Sequence, residues 1–171
     1  MSVPSSHENE EIYNLLVEFI IQNQQHFYRF AYQYIQNEQA ALDIVSNAVY
    51  RSLTKYKSLR EIDYLKTWFY RILINESKTY LRKNKRLINL EEISDISHYR
   101  DHYHLDEWNL SENINQLPEK LKTIIILRFY EEMTLEEIAM ITKTNLNTVK
   151  SRLYRALKLL KLNFKEGDFY E

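Results

Sequence analysis

Residues 133–162 contain two apolar patterns of helical period, separated by a few polar residues. Thr134 and Glu137 have the spacing of a capping box, which predicts that the first helix begins at Thr134. Asn145 is a residue type that suits an N-cap, so the second helix is predicted to begin there. The apolar residues of the second helix form one stripe: Val149, Leu153, Ala156, Leu157 and Leu160. The stretch therefore predicts two helices joined by a tight turn.

The second of these helices has a polar and basic outer face. At about 100° per residue, five side chains point away from the apolar stripe and two cations flank it. The five are Asn147, Ser151, Tyr154, Arg155 and Lys158, and the flanking cations are Lys150 and Arg152. A short helix, a turn and a longer helix describe a helix-turn-helix, whose second helix enters the DNA major groove. A helical hairpin with a solvated basic face is the alternative that this pattern leaves open.

Four short motifs between residues 117 and 161 carry a family resemblance. They are Leu117-Pro118, Leu127-Arg128-Phe129-Tyr130, Glu136-Glu137-Ile138-Ala139 and Thr148-Val149-Lys150-Ser151-Arg152-Leu153. In this order and spacing they resemble the promoter −35-binding domain of bacterial extracytoplasmic-function (ECF) sigma factors, within the sigma-70 family. The resemblance implies that −35 DNA is bound by Asn147, Thr148, Lys150, Ser151, Arg152, Tyr154 and Arg155.

Two residues of this stretch depart from the family pattern. Lys143 lies in the turn, where the family usually has glycine, and a lysine with positive φ there costs roughly 1 kcal/mol. Asn147 replaces another usual glycine at the start of the second helix. The base preference of this helix therefore does not follow from the resemblance.

The near absence of helix-breaking residues indicates an all-α protein. The 171 residues include one glycine and two prolines, and their length allows one medium domain or two small ones. No cysteine is present, which excludes a disulfide framework and a thiolate zinc site and is consistent with a reducing cytoplasm. The N-terminal residues are polar and acidic, unlike a signal peptide, and no apolar run approaches the roughly 18 residues of a membrane span. We therefore expect a cytoplasmic protein without membrane insertion.

The charged residues are clustered although the formal net charge is only −1. Cations concentrate in residues 71–86 and again in 150–165, while acids concentrate between them, in 91–112. Clustered cations, rather than total charge, are typical of DNA-binding surfaces. The net charge therefore does not argue against a nucleic-acid partner.

The first half of the chain predicts two packed helices. Residues 10–35 have helical periodicity with a break near 23–25, and Asn37 is the predicted N-cap of a second helix that has a broad apolar face. This face consists of Ala40, Ala41, Ile44, Val45, Ala48, Val49 and Leu53. Within the two helices, residues 27–45, FYRFAYQYIQNEQAALDIV, resemble the opening of the sigma domain that binds the polymerase core and the −10 element. The family has an acidic segment here that docks on the clamp helices of the largest polymerase subunits. Asp43 matches it, whereas Ser46 and Asn47 replace a glutamine and an acid.

The resemblance implies that these three residues, Asp43, Ser46 and Asn47, bind core polymerase. An ordinary exposed acid remains the alternative for Asp43.

Residues 58–63 predict a loop, and Asp63 is a predicted N-cap for the helix over 64–86. Its motifs Thr67-Trp68-Phe69-Tyr70-Arg71-Ile72, Asn75 and Tyr80-Leu81-Arg82-Lys83 resemble the ECF helix that engages the −10 element. A surface with aromatic and basic residues suits a separated DNA strand. The predicted −10 residues are Ser58, Leu59, Arg60, Thr67, Arg71, Asn75, Lys78 and Arg82. Core packing of Trp68 and a capping role for Asn75 are the alternatives.

Residues 87–116 are acidic and rich in turn formers, and predict a linker between domains at 10–86 and 117–162. The predicted core residues at the start of the second domain are Leu121, Ile124, Ile125 and Phe129. His98 and His102 lie four residues apart near Asp101, but no helix or partner is assured there, so we predict no metal site. No Ser/His/Asp or Cys/His constellation and no phosphate-binding glycine loop is present, which predicts neither an enzyme nor a cofactor or small-molecule substrate.

These patterns together predict an ECF-type sigma factor of two helical domains. Its implied partners are RNA polymerase core, promoter DNA and an anti-sigma factor. A stand-alone helix-turn-helix regulator is the first rival, although such a protein has no use for residues 27–86. A helical adaptor that binds no DNA is the second, although an adaptor need not place cations opposite each apolar stripe.

Overall fold

The structure, a computed structural model, describes residues 6–91 and 110–160, and the regular elements of these two segments are all helical. The α-helices are α1 Ser6–Ile35, α2 Glu38–Lys55, α3 Leu65–Glu91, α4 Leu110–Gln116, α5 Glu119–Ile125, α6 Leu135–Thr142 and α7 Leu146–Leu159. Two 3-10 turns, Tyr56–Ser58 and Ile62–Tyr64, and a π turn, Ile126–Tyr130, complete them. The chain divides into two compact units, Met1–Lys85 and Arg86–Glu171. The prediction of an all-α protein with two domains is confirmed.

An aromatic core holds the first unit together. Phe27 of α1 stacks on Phe69 of α3 with ring centroids 4.3 Å apart. Phe27 and Phe30 also meet the edge of Tyr70, each at 5.7 Å. α2 packs on α1 through the small buried residues Ala40, Ala41 and Ala48, together with Ile44. Because ring pairs have preferred geometries, these contacts fix which face of α3 is turned to solvent.

Two predictions for the first unit are wrong and one is confirmed. α1 is continuous through residues 23–25, because the Asn23 side-chain amide donates to the Phe19 carbonyl at 2.8 Å and so bonds within the helix. Asp63 is not an N-cap, since it lies inside the turn Ile62–Tyr64 and α3 begins only at Leu65. Asn37 does cap α2, its side chain accepting the Ala40 N–H at 2.8 Å.

The second unit packs α5 and α6 against the apolar stripe of α7. Its core contains the predicted residues Leu121, Ile124 and Ile125. Phe129 was predicted in the same core, but it is 46 % exposed. The reason is the π turn, in which the Glu131 N–H donates to the Ile126 carbonyl, because the wider turn changes the helical phase. Ile126 and Leu127 are buried in its place.

Helices extend into both ends of the segment predicted as a linker, residues 87–116. α3 continues to Glu91, and α4 occupies Leu110–Gln116 with Ile114 buried. The rest of that segment, including His98 and His102, lies outside the described residues. Among the described residues, no helix has the length and apolar character needed to cross a membrane.

Candidate nucleic-acid interface

Side-chain caps define both helices of the helix-turn-helix. Thr134 Oγ1 accepts the Glu137 N–H at 3.1 Å, and Glu137 Oε2 accepts the Thr134 N–H at 2.8 Å, so the predicted capping box is confirmed. Asn145 Oδ1 accepts the Thr148 N–H at 2.7 Å and caps α7 as predicted. Between the two helices, Lys143 has φ 52° and ψ 44°, the left-handed conformation that a glycine would adopt at no cost.

α7 separates its apolar and polar residues as the sequence predicted. Val149, Leu153, Ala156 and Leu157 are buried. Of the predicted −35 residues, the exposed ones are Asn147, Lys150, Ser151, Tyr154 and Arg155, and the half-buried ones are Thr148 and Arg152. The helix carries four cations and no acid between Leu146 and Leu159. The polar side chains of a capped first turn are suited to bind base edges on the floor of the DNA major groove. The cations that follow them are suited to bind the phosphates at the walls of the groove.

α3 turns part of its predicted −10 face to solvent. Asn75 and Arg82 are exposed and Arg71 and Lys78 are half-buried, while Leu65, Phe69 and Leu73 are buried on the opposite side. In the preceding loop, Ser58 and Arg60 are exposed. Side chains spaced three and four apart thus form one accessible surface along the first five turns of α3.

Two of the predicted −10 residues are buried instead. Thr67 is 6 % exposed and its Oγ1 donates to the Tyr64 carbonyl at 3.0 Å. A step of four residues turns a helix by about 40°, so Thr67 lies about 80° from Asn75, on the border of the core. Leu59 is 4 % exposed and anchors the loop rather than lining its surface. Their predicted exposure on the −10 face is therefore wrong.

Ile62 and Tyr64 are 38 % and 46 % exposed and were not named individually among the predicted −10 residues, although Ile62 lies in the predicted loop 58–63. Tyr64 precedes Trp68 by four residues and Arg71 by seven, so it continues the same side of the helix. That spacing was available in the sequence as a signal. Trp68 itself is half-buried, so neither full core packing nor an open stacking surface describes it.

The predicted polymerase-binding residues share the outer side of α2. Asp43, Ser46 and Asn47 are all exposed, and Asp43 Oδ1 accepts a bond from the Gln39 amide at 3.2 Å. Ser46 also lines a cleft of about 890 Å³ between α1 and α2. The other α2 residues that line the cleft are Leu42, Val45, Val49, Tyr50 and Leu53.

This cleft was missed because Val45, Val49 and Leu53 were assigned to the buried face of α2. They are only half-buried, and Leu42 and Tyr50 are 50 % and 69 % exposed. An exposed apolar surface of this kind is typical of protein interaction sites.

An ion pair joins α2 to α3 beside the −10 face. Arg51 Nε lies 2.6 Å from Glu76 Oε1, with side-chain exposures of 51 % and 9 %. Glu76 directly follows Asn75, so the pair constrains the turn of α3 that carries the candidate base-binding amide. No helical period marks such a contact in the sequence, because the two residues belong to different helices.

The described part of the chain offers no candidate metal site, and one lysine in it has a shifted pKa. No group of three or more His, Cys, Asp or Glu side chains there could hold a metal ion. Lys122 on α5 is buried, and burial lowers its pKa from 10.5 to about 8.

Both units match models of one protein family. The model for sigma-70 region 2 matches residues 19–87, and that for sigma-70 region 4 matches residues 108–160, together more than half of the chain. The RNA polymerase sigma factor SigV of Bacillus subtilis is 43 % identical over 156 residues, which cover 90 % of this chain and 93 % of that protein. The chain is an ECF sigma factor of the sigma-70 family.

A second relative has a similar sequence to this sigma factor, and two solved structures have the same fold. The ECF RNA polymerase sigma-E factor of Haemophilus influenzae is 32 % identical over 134 residues, covering 69 % of this chain and 71 % of that protein. The sigma factor RpoE of Bartonella quintana, solved with the anti-sigma factor NepR, has the same fold with a TM-score of 0.69, 24 % identity and coverages of 86 % and 97 %. CnrH, solved with the cytosolic domain of CnrY, gives a TM-score of 0.66 at 14 % identity, with coverages of 90 % and 92 %.

The predicted family and function are therefore confirmed. The protein is a promoter-recognising factor of transcription initiation, and sigma factors as a class regulate this step.

Proposed function

We propose that this sigma factor binds the −35 element through α7, with Asn147, Thr148, Ser151 and Arg155 at base edges or nearby backbone and Tyr154 on the same DNA-binding face. Lys150 and Arg152 mainly hold phosphates in this arrangement. The observation that carries the proposal is the separation of faces on α7, where a capped first turn presents polar side chains and the buried stripe holds the helix in place. Major-groove recognition requires such a helix, entering with its N-terminal residues first.

The non-template strand of the −10 element is the proposed ligand of α3 and its loop. A base can be recognised on its Watson–Crick edge only after it leaves the stack, and unstacking costs a few kcal/mol. Asn75 is exposed and has both the donor and the acceptor that such recognition needs. Arg71, Lys78 and Arg82 follow on the same side, where they would track phosphates. Thr67 and Leu59 serve this site from beneath it, as buried supports of the loop and the first turn.

Core polymerase is proposed to dock on the outer side of α2. Asp43, Ser46 and Asn47 are exposed there, and the adjoining cleft offers apolar surface. This chain has only one acid where the family has more, so burial of Leu42 and Tyr50 would replace part of the electrostatic attraction in the complex. In this assignment residues 10–86 form the core-binding and −10 domain, 117–162 form the −35 domain, and 87–116 connect them.

Family membership also supports a regulatory partner and a cellular compartment for this protein. The sigma factor RpoE was co-crystallised with the anti-sigma factor NepR, and CnrH was solved in complex with the cytosolic domain of CnrY. These complexes support an anti-sigma partner for this protein as well. The protein acts in the cytoplasm, where RNA polymerase works, and the polymerase rather than the sigma factor carries out the chemistry.

Transcription with purified core polymerase tests the proposal. Core polymerase with this protein should initiate at a promoter selected from a randomised pool, whereas a stand-alone helix-turn-helix regulator would not support initiation at all. Arg155→Ala should cost roughly 1–3 kcal/mol of promoter binding and relax selectivity at one or two −35 positions.

Lys150→Ala is the matched comparison on the same helix. It should weaken binding to all sequences about equally and reduce the salt dependence. A uniform loss at every site for Arg155→Ala would remove that residue from the base-contacting set.

A further inference from the structure

The turn between α6 and α7 holds a lysine in a conformation that costs free energy. Lys143 has a left-handed backbone with φ 52°, which its Cβ disfavours. Gln36 and Glu132 also have a positive φ. The Gln36 side-chain amide compensates by donating to the Tyr32 and Gln33 carbonyls at 3.3 and 3.4 Å, whereas Glu132 has the same φ of 52° but precedes α6 and not the helix that enters the DNA. Within residues 6–91 and 110–160, the Lys143 ammonium makes no hydrogen bond or ion pair, and its side chain is exposed.

Neighbouring acids do not account for this cation. Glu136 and Glu137 belong to the first turn of α6, seven and six residues before Lys143 respectively, which at 1.5 Å per residue is about 9–10 Å along the helix. The Glu137 carboxylate is also engaged in the capping box. A backbone cost without local compensation is a reason to look for a function at that residue.

The position of Lys143 indicates what that function is. It lies two residues before Asn145, the cap of α7, and therefore beside the turn that enters the DNA. The major groove is about 12 Å wide, and a helix with its side chains is about 10–12 Å across. A helix in the groove thus fills it, and residues that flank its N-terminus lie against the phosphate backbones of the groove walls.

We propose that Lys143 binds a phosphate of the −35 duplex, a contact that a glycine in this turn could not make. A lysine suits this role because its ammonium is a compact charge on a flexible stem that can reach a single phosphate. The inference rests on the proposed −35 role of α7. It adds a sequence-independent contact to that role, so affinity and salt dependence should change while base preference stays the same.

The test uses the full chain bound to core polymerase and a promoter duplex that the wild-type holoenzyme selects from a randomised pool. Dissociation constants are measured between 50 and 200 mM NaCl for Lys143→Gly, Lys143→Asn and Lys143→Arg. Loss of one phosphate contact should make the slope of the logarithm of the association constant against the logarithm of the salt concentration less negative by about 0.9. The affinity advantage of the wild type should therefore shrink about threefold between 50 and 200 mM NaCl. Lys143→Arg should keep the wild-type slope.

Thermal unfolding of the same variants separates a DNA contact from a structural role. Lys143→Gly should raise the melting temperature by a few degrees, because glycine adopts the left-handed conformation without strain, while binding DNA more weakly. Glu132→Gly is the matched control, since Glu132 has the same φ of 52° in the same unit. It should also stabilise the fold, but leave the salt slope unreduced.

Unchanged slopes for both the glycine and asparagine variants would overturn the proposal, and so would a loss in Lys143→Arg equal to that in Lys143→Gly. In that case Arg155→Ala would still relax selectivity if α7 is the −35 reader. Failure of the wild-type holoenzyme to select any promoter would overturn the proposed function and this inference together.

Discussion

The Arg51–Glu76 ion pair should measurably couple α2 to α3. The Glu76 side chain is 9 % exposed, so removal of its partner leaves a largely desolvated carboxylate. Arg51 is 51 % exposed, so solvent screens much of the attraction. Exposed pairs contribute about 0.2–1 kcal/mol and the breaking of buried pairs costs about 3–5 kcal/mol. This pair lies between those limits, and we expect Arg51→Ala to cost about 1–2 kcal/mol.

A double-mutant cycle isolates the pair from other effects of each substitution. Arg51→Ala, Glu76→Ala and the double variant should give a coupling free energy of about 1 kcal/mol, within the range for residues in contact. Hydrogen exchange of the α2 and α3 amides in the full chain is the suitable assay. It reports the opening of these helices directly, whereas global unfolding of a chain with two units need not be a single transition.

Coupling between Arg51 and Glu76 is refuted if the free-energy costs of the two single substitutions add within about 0.3 kcal/mol in the double variant, because the effects of independent residues are additive. Glu76→Gln provides a further check, since it keeps the shape of the side chain and removes its charge. An effect as large as that of Glu76→Ala would assign the coupling to the charge, whereas no effect would assign it to packing.

Three further outcomes are expected. Asp43→Arg should reduce holoenzyme formation in a pull-down without lowering the melting temperature, whereas the same reversal at exposed Glu11 of α1 should leave both unchanged. Asn75→Ala should leave thermal stability intact and impair open-complex formation on a linear promoter. A template already unpaired at −10 should restore open-complex formation without restoring base preference at −10. A large loss of melting temperature with normal −10 selectivity would contradict this prediction. The pKa of Lys122 is about 8 in the folded state and 10.5 in the reference state, so the unfolded chain binds more protons between these values and stability should rise with pH through that window. Lys122→Met should flatten this rise in urea unfolding measured from pH 7 to 10.

Most of the helix caps and faces of the second unit, which depend on residues within four positions, could be predicted from the sequence alone. Thr134 and Asn145 were identified as caps because a cap needs only its own helix start, and the two faces of α7 follow from helical period. Much of the candidate −35 surface was thus predictable residue by residue. The family resemblance placed Lys143 in a turn where glycine is usual, and the structure supplied its left-handed φ of 52°.

Contacts between helices were decided only by the tertiary structure. Thr67 and Leu59 have ordinary positions on a helical wheel or loop, but the packing of α3 places them inside. Phe129 is exposed because a single π turn shifts the helical phase, which an assumed period of 3.6 residues cannot anticipate. The Arg51–Glu76 pair and the cleft beside Ser46 each combine residues from two helices. Their existence depends on the relative rotation and separation of those helices. The small buried residues of α2 set these for α1 and α2, and the aromatic core sets them for α1 and α3.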